Sequence, residues 1–253
     1  MTQAEKANLF SNRHVKGEPL VLYNIWDAGS ARAVAAAGAK AVATGSWSIA
    51  AAQGYPDGEA IPLDVVELIV RQIARSVDVP LTVDFEGAYA VEPGQAAANV
   101  ARIVMAGAVG INFEDGVIGG DGLHDVALQC RRIEAIRART EALGIALFIN
   151  ARTDLFLKAP DSTQHAALLE SASGRAHAYA NAGASGFFVP GLADEALIEA
   201  ICSAVPQPVN VMMTAGAPST SRLAELGVSR ISYGPLPYVR CMQQLGEHAL
   251  NVA

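Results

Sequence analysis

Cysteine is scarce, three in 253 residues. Cys130, Cys202 and Cys241 lie far apart with no C-x-x-C spacing, which excludes a disulfide framework and a zinc knuckle. Basic residues are outnumbered, 18 Lys+Arg against 25 Asp+Glu, and a net charge of −7 leaves no footprint for a phosphate backbone, so nucleic acid is not expected as a partner. No run of about 18 apolar residues is available to span a bilayer. The Ala-rich stretch after Trp26 is interrupted by Asp27, Arg32 and Lys40. Residues 1–20 carry Glu5, Lys6, Arg13, Lys16 and Glu18 without an apolar h-region, so no secretory signal is read and a soluble, cytoplasmic protein without membrane contact is expected. A Walker A sequence, an H-E-x-x-H pair, a G-x-S-x-G elbow and a G-x-G-x-x-G turn after the first strand are also missing, which disfavours P-loop, zincin, serine-hydrolase and dinucleotide chemistry.

What is present is a globular composition, 51% hydrophobic and 17% charged, in a length of 253 that matches one α/β barrel. Short β-branched runs alternate with longer Ala/Leu/Arg stretches of helical period, with no Pro/Ser-rich linker between them. Eight strand-like runs can be counted: 20–25, 41–45, 81–86, 110–115, 146–152, 186–190, 209–213 and 230–233. Four are preceded by one punctuation, a glycine at 38, 107, 183 or 227 between small residues or a Leu and a Val, where a helix C-cap in the left-handed conformation belongs. Two others follow a proline, Pro80 and Pro208, tolerated at a strand start. Runs such as Ala146-Leu147-Phe148-Ile149-Asn150 and Gly186-Phe187-Phe188-Val189 are apolar without alternation, as expected of parallel strands covered on both faces. The reading is a (β/α)8 TIM-type barrel, a single domain over residues 1–253, rather than an open doubly wound sheet.

In such a barrel the chemistry comes from the C-terminal strand ends and the loops after them. The polar residues that interrupt the runs fall there: Asp27, the turn Thr44-Gly45-Ser46, Asp84 and Glu86, Glu114 and Asp115, Asn150 and Arg152, Thr214 and Tyr233. Asp84 and Glu86 are two apart on an extended strand and Glu114 reaches the same mouth from the next one, so three carboxylates are expected to converge. A hard divalent cation relieves their repulsion and accepts oxygen ligands, which points to Mg²⁺, with Mn²⁺ as a substitute. Arg152 suits capture of a substrate carboxylate, or else a structural ion pair with those acids. The Thr44–Ser46 turn can present N–H and hydroxyl groups to an anion. Of the five histidines, His14, His165, His177 and His248 fall outside the rim, whereas His124 sits in the Gly-rich segment 116–125, read as a lid that closes over the mouth.

These residues resemble the isocitrate lyase and phosphoenolpyruvate mutase superfamily over nearly the whole chain, from about Val21 to the C-terminal helix. The pieces that carry the resemblance are Asn24-Ile25-Trp26-Asp27, Thr44-Gly45-Ser46 followed by Gly54-Tyr55-Pro56-Asp57, Val83-Asp84-Phe85-Glu86-Gly87, Phe113-Glu114-Asp115 and Asn150-Ala151-Arg152-Thr153-Asp154. It implies that Asp84, Glu86 and Glu114 surround Mg²⁺, partly through water, and that Asp57 lies in a loop reaching the substrate. By the same resemblance Arg152 binds a carboxylate, Thr44 to Ser46 bind the 2-oxo acid end, and Asp27 supports the site from the first strand. It also implies a homo-oligomer, dimer or tetramer, with the C-terminal helix exchanged between subunits. The chain departs from the lyases where their loop carries a catalytic Cys: here residues 116–125 contain none. The Lys and Asn of the phosphonomutase gating loop are missing, and Val189-Pro190-Gly191 stands where carboxy-lyases have a Glu.

The expectation is a Mg²⁺-dependent lyase or decarboxylase acting on a small 2-oxo or 2-hydroxy acid through a pyruvate-type enolate. The alternatives are phosphonomutase or phosphonopyruvate hydrolase chemistry, and a non-catalytic 2-oxo acid binding protein. His124 enters as a proton donor in place of the absent Cys.

Overall fold

Each apolar run becomes a short parallel strand. They are β1 (Leu20–Leu22), β2 (Val42–Ala43), β3 (Leu81–Asp84), β4 (Gly110–Glu114), β5 (Phe148–Arg152), β6 (Gly186–Phe188), β7 (Val209–Met212) and β8 (Arg230–Ser232). The computed structural model describes residues 1–159 and 161–251. Sequential strands are neighbours, in the order β1-β8-β7-β6-β5-β4-β3-β2, and every pair is parallel. The sheet closes just past the end of β1, where Ile25 N–H donates to Ala43 O at 2.8 Å and Gly45 N–H to Ile25 O at 3.2 Å. This is the (β/α)8 barrel, with helices connecting the strands around it.

The glycines do what the repeat required. Gly38, Gly107, Gly183 and Gly227 all adopt positive φ after a helix. At Gly107 (φ +119°) a Cβ would stand 2.5 Å from the Cβ of Ala74, so space as well as backbone conformation excludes a side chain there.

Two features were not read from the sequence. The first is a helix at Gln3–Asn12, started by a Thr2/Glu5 capping box, which covers the N-terminal end of the barrel. Its Phe10 is fully buried and meets Phe148 edge to face, while Gln3 donates to Val104 O and Ala108 O. The second is a polar barrel interior, since inward-facing positions carry Asn112, Asn150, Asn210 and Arg230, all buried. Asn150 Nδ2 donates to Asn112 Oδ1 (2.9 Å) and to Asn210 Oδ1 (3.0 Å), and Arg230 Nη2 donates to the same Asn112 oxygen at 3.0 Å. A guanidinium can only donate, so Asn112 must keep its oxygen downward and its amino group toward the mouth, where Asp84 Oδ1 accepts at 3.3 Å. Burial pushes Arg230 down to about 9.

The last helix, Leu236–Leu250, leaves the barrel rather than packing on it: from Val239 to Leu250 every residue is exposed. Among the described residues, no helix is long and apolar enough to cross a membrane.

Candidate active site

At the C-terminal ends of the strands lies a cavity of about 180 Å³. Its two halves differ in chemistry. Among the described residues, Asp57, Asp84 and Arg152 are its only charged lining residues, joined by Ser46 and Asn112 on the side of β2 to β5. The opposite side, supplied by β6, β7 and the segments after β5 and β8, presents Leu157, Phe188, Pro190, Met212 and Pro235, with Trp47 completing the apolar face.

The charged side is built outward from Asp84 at the end of β3. Its Oδ2 accepts from the Ser46 hydroxyl at 2.9 Å and from Ser46 N–H at 3.2 Å, and its own backbone N–H donates to Thr44 Oγ1 at 3.0 Å. The Thr44–Ser46 turn therefore grips the carboxylate, and Gly45 N–H is spent on closing the barrel. Arg152 approaches from β5: Nη1 lies 2.8 Å from Glu114 Oε2 and 4.0 Å from Asp84 Oδ1, while Nε holds Asp154 Oδ1 at 2.6 Å. Burial opposes the guanidinium charge, but Glu114 and Asp154 outweigh it and keep Arg152 cationic. Its Nη2 has no hydrogen-bond partner among the described residues, which leaves an N–H edge to offer a ligand.

Asp154 is fixed in turn by the fully buried Asp115. The Asp115 carboxylate accepts from Asp154 N–H (3.0 Å), Arg175 (3.0 Å) and the Tyr179 hydroxyl (2.8 Å). A chain of oriented groups thus runs from helix Leu169–Asn181 through Asp115 and Asp154 to Arg152.

Glu86 lies just past β3 in a strained turn, with positive φ at Glu86 (49°), Ala88 (61°) and Tyr89 (56°). The buried Arg132 braces this turn by donating to Ala90 O at 2.9 Å and to Gly87 O, and Glu59 accepts from Tyr89 N–H at 2.7 Å. Glu86 Oε1 accepts from Gly58 and Glu59 N–H at 3.0 and 3.1 Å, which pins the loop carrying Asp57. Burial first, then Asp84 and Asp57, push Glu86 up to about 8. Asp57 is raised for the same two kinds of reason, burial and Asp84. Burial also raises Glu114, with Arg152 pulling against it.

The expectation of three converging carboxylates therefore needs revision. The three share a neighbourhood, but among the described residues no three His, Cys, Asp or Glu side chains form a ready ligand set. Glu86 faces backbone amides, Glu114 faces Arg152, and only Asp84 lines the cavity. This all-oxygen donor set is of the kind Mg²⁺ accepts: Asp84 would hold the ion from the cavity wall, and Glu86 and Glu114 would act through waters the ion keeps. Stability should report it. A carboxyl raised from 4.5 to about 8 favours the fold below its unfolded value, and that contribution is lost as pH rises through about 8. The Mg²⁺-induced rise in Tm should accordingly grow between about pH 5 and pH 9. A rise that is flat with pH in thermal scans would separate Glu86 from the ion.

The sequence profile of phosphoenolpyruvate phosphomutase matches residues 10–253. The chain belongs to that family. Within its superfamily, 2-methylisocitrate lyase of Escherichia coli K12 is 30% identical over 251 residues, 94% of this chain and 80% of that one. A candidate phosphonomutase from Burkholderia cenocepacia J2315 superposes with a TM-score of 0.96 at 46% identity, each chain covered completely. A phosphonopyruvate hydrolase complex with oxalate and Mg²⁺ shares the fold, with a TM-score of 0.83 at 20% identity, over 100% of this chain and 87% of that one.

As a phosphoenolpyruvate phosphomutase family member, the chain holds some expected residues away from the cavity. Asp27 caps the helix Ala28–Ala36, accepting from Ser30 N–H at 2.7 Å, and Asn24 is the residue from β1's end that reaches the cavity. Asn24 Oδ1 accepts from Tyr233 and Gly234 N–H, so it also joins the two ends of the chain. Asn150 is buried in the barrel below the mouth. The 116–125 segment forms a small hairpin, with Val117 N–H on Gly122 O at 3.0 Å and Lys158 Nζ on Gly120 O at 2.7 Å. Ile118 reaches 3.2 Å from the position of a Cβ on Gly87, so the hairpin lies over the Glu86 turn. His124, at its base, is bound through its backbone to Asp115 O and Arg175 and does not line the cavity. Burial, with Arg132 nearby, lowers its pKa and so favours the neutral ring. His124→Ala should keep kcat within about threefold of wild type, whereas a general acid contributes about 10²–10⁴. A kcat–pH series for both proteins checks this, and a drop of about 10² with loss of one limb would give His124 the proton.

Asn24, Asn112, Trp47 and Asp154 were missed as site residues. Asn112 and Asp154 had a signal: each is two residues from a chosen one, Glu114 or Arg152.

Proposed function

We propose that the protein is a Mg²⁺-dependent lyase that breaks a C–C bond in a small 2-oxo or 2-hydroxy acid: a 2-oxo acid would leave a pyruvate-type enolate, and a 2-hydroxy acid would leave a 2-oxo acid with the enolate on the departing fragment. The observation that carries this reading is the approach of Arg152 Nη1 to Asp84 Oδ1, 4.0 Å, on one wall of a cavity of about 180 Å³. That space equals about six liquid waters, which suits a short acid. Asp84, with Glu86 and Glu114 behind it, would hold the ion, and when bound Mg²⁺ would supply Lewis-acid stabilisation of developing negative charge. Ser46 orients Asp84, and Asn112 presents its amino group beside it. Arg152 offers Nη2 to the substrate carboxylate while Glu114 and Asp154 hold its plane. Asp57 lines the cavity from its loop, which supports a role for it in taking a proton from the substrate. The absence of a Cys from residues 116–125 of this chain favours a cleavage whose enolate is protonated from solvent.

Phosphonomutase or C–P hydrolase chemistry is the second reading, favoured by the 46% identity to a candidate phosphonomutase. Phosphonopyruvate and phosphoenolpyruvate, followed by ³¹P NMR with Mg²⁺, test it: interconversion or phosphate release supports this second reading against the lyase.

The reading includes a homo-oligomer in the cytoplasm. The exposed helix Leu236–Leu250 carries Val239, Met242 and Leu245, and a groove of about 700 Å³ runs beside β1 past Val21, Tyr23 and Val34. A helix following β8 would ordinarily cover the barrel beside β1. Docking of this helix on a second copy buries both apolar surfaces. Light scattering should give a dimer or tetramer, and a monomer at micromolar concentration would contradict it.

A further inference from the structure

Across the mouth from Asp84, Asn112 and Arg152 the cavity is lined by Ser232 at the end of β8, set among Phe188, Met212 and Pro235. Counting round the closed barrel, β8 stands four strands from β4, which places Ser232 opposite Asn112. Asp84 on β3 and Arg152 on β5 flank Asn112. Asn24, the other polar side chain lining that side, already has partners: Nδ2 donates to Thr44 O at 2.8 Å, and Oδ1 accepts from Tyr233 and Gly234 N–H at 2.9 and 3.0 Å.

The amides beneath Ser232 set the direction of its hydroxyl. Asn210 Nδ2 lies 2.9 Å from Val211 O and 3.2 Å from Arg230 O, two carbonyls that can only accept, and Asn210 Oδ1 accepts from Asn150 Nδ2 at 3.0 Å. Arg230, which can only donate, imposes the same sense from the other end, through Asn112 Oδ1 and then Asn150. The Asn210 amino group therefore faces Ser232 Oγ at 3.2 Å, and because an amide nitrogen accepts nothing, the hydroxyl oxygen receives this bond. The hydroxyl proton has no acceptor among the described residues, and the cavity is the space open to it. Ser232 is only 3% exposed, so a bound ligand is the partner that completes it.

We propose that Ser232 is a substrate-binding donor, and that the acid taken by this site carries an acceptor oxygen at C4, a carbonyl or a carboxylate, on the fragment that C–C cleavage releases. The proposal rests on the lyase reading for the place of the first carboxylate, beside Arg152 and Asp84. An oxygen at C4 is also what cleavage of a 2-hydroxy acid requires. As the C2–C3 bond breaks, its electron pair becomes the enolate of the C4 carbonyl, the 2-hydroxyl gives its proton to Asp57, and C2 leaves as the oxo carbon. The enolate then takes a proton at C3 from solvent. Ser232 donates to the oxygen on which that negative charge collects.

Calorimetric displacement of oxalate in saturating Mg²⁺, on the wild-type protein and on Ser232→Ala, tests it. In the variant Asn210 keeps Val211 O and Arg230 O as acceptors, so the fold should persist. The competitors are two pairs of 2-hydroxy acids that differ at C4: malate with 2-hydroxybutanoate, and 2-hydroxy-4-oxopentanoate with 2-hydroxypentanoate. Ser232→Ala should weaken malate, 2-hydroxy-4-oxopentanoate or both by about three- to tenfold, the range of one hydrogen bond from a neutral donor. The two acids without the C4 oxygen, and oxalate, which is too short to reach β8, should stay within about twofold. The pair that responds distinguishes a carboxylate from a carbonyl. Absent or unchanged binding of both C4-oxygen acids, or an equal loss for every ligand, overturns the inference alone. Failure of oxalate to bind the wild-type protein with Mg²⁺ overturns the lyase reading and the inference with it.

Discussion

Asp84→Ala is expected to lower kcat/KM by about 10³ or more and to remove the Mg²⁺-dependent rise in Tm, the two losses arising from one carboxylate. Asp84 lines the cavity with Asp57, and two bonds from Ser46 and one from Asn112 fix its orientation. Those donors remain when the side chain is cut to Ala, so the fold should survive the change. Asp84→Asn keeps shape and hydrogen bonding to Ser46 but loses charge, and should resemble Ala in metal binding. Calorimetric titration with Mg²⁺, with and without oxalate, reads the loss directly. Wild-type Mg²⁺ affinity in Asp84→Ala would move the metal elsewhere.

Arg152 carries the second large effect, with two separable parts. In Arg152→Met, Glu114 and Asp154 keep side-chain exposures of only 8% and 9% and lose their common cation. Breaking a buried pair in this way costs about 3–5 kcal/mol, a Tm fall of about 10 °C for a chain of this size. Arg152→Lys restores a charge but cannot hold Asp154 and Glu114 from a rigid fork while serving a ligand. It should recover much of the stability and still lose about 10² in kcat/KM. Thermal denaturation beside steady-state kinetics separates the parts: a Lys variant with normal kinetics would confine Arg152 to structure.

The legible part of this molecule was the part set by local rules. Gly38, Gly107, Gly183 and Gly227 marked helix ends because only a left-handed residue fits there, and the apolar runs marked strands covered on both faces. The strand ends then pointed to Asp84, Arg152 and the Thr44–Ser46 turn, which do meet. Contacts that depend on nonlocal geometry were hidden. The 2.9 and 3.0 Å amide bonds linking Asn112, Asn150 and Asn210 across the barrel leave no trace in spacing. The left-handed turn at Glu86 rotates its side chain toward Gly58 and Glu59, away from the alternation that Asp84 and Glu86 suggested. Asp27 was readable in another way, since Asp before Ala28-Gly29-Ser30 is an N-cap pattern and its carboxylate is spent there.

The most direct test of the account is pyruvate release. Substituted 2-oxo and 2-hydroxy acids, offered to the wild-type protein with Mg²⁺ and again with EDTA, are followed by coupling pyruvate to NADH oxidation. The account predicts that at least one acid yields pyruvate with Mg²⁺ or Mn²⁺, that EDTA abolishes the release, and that Asp84→Ala does not show it. Tight Mg²⁺-dependent oxalate binding with no pyruvate from any acid, or release undiminished by EDTA, would contradict it.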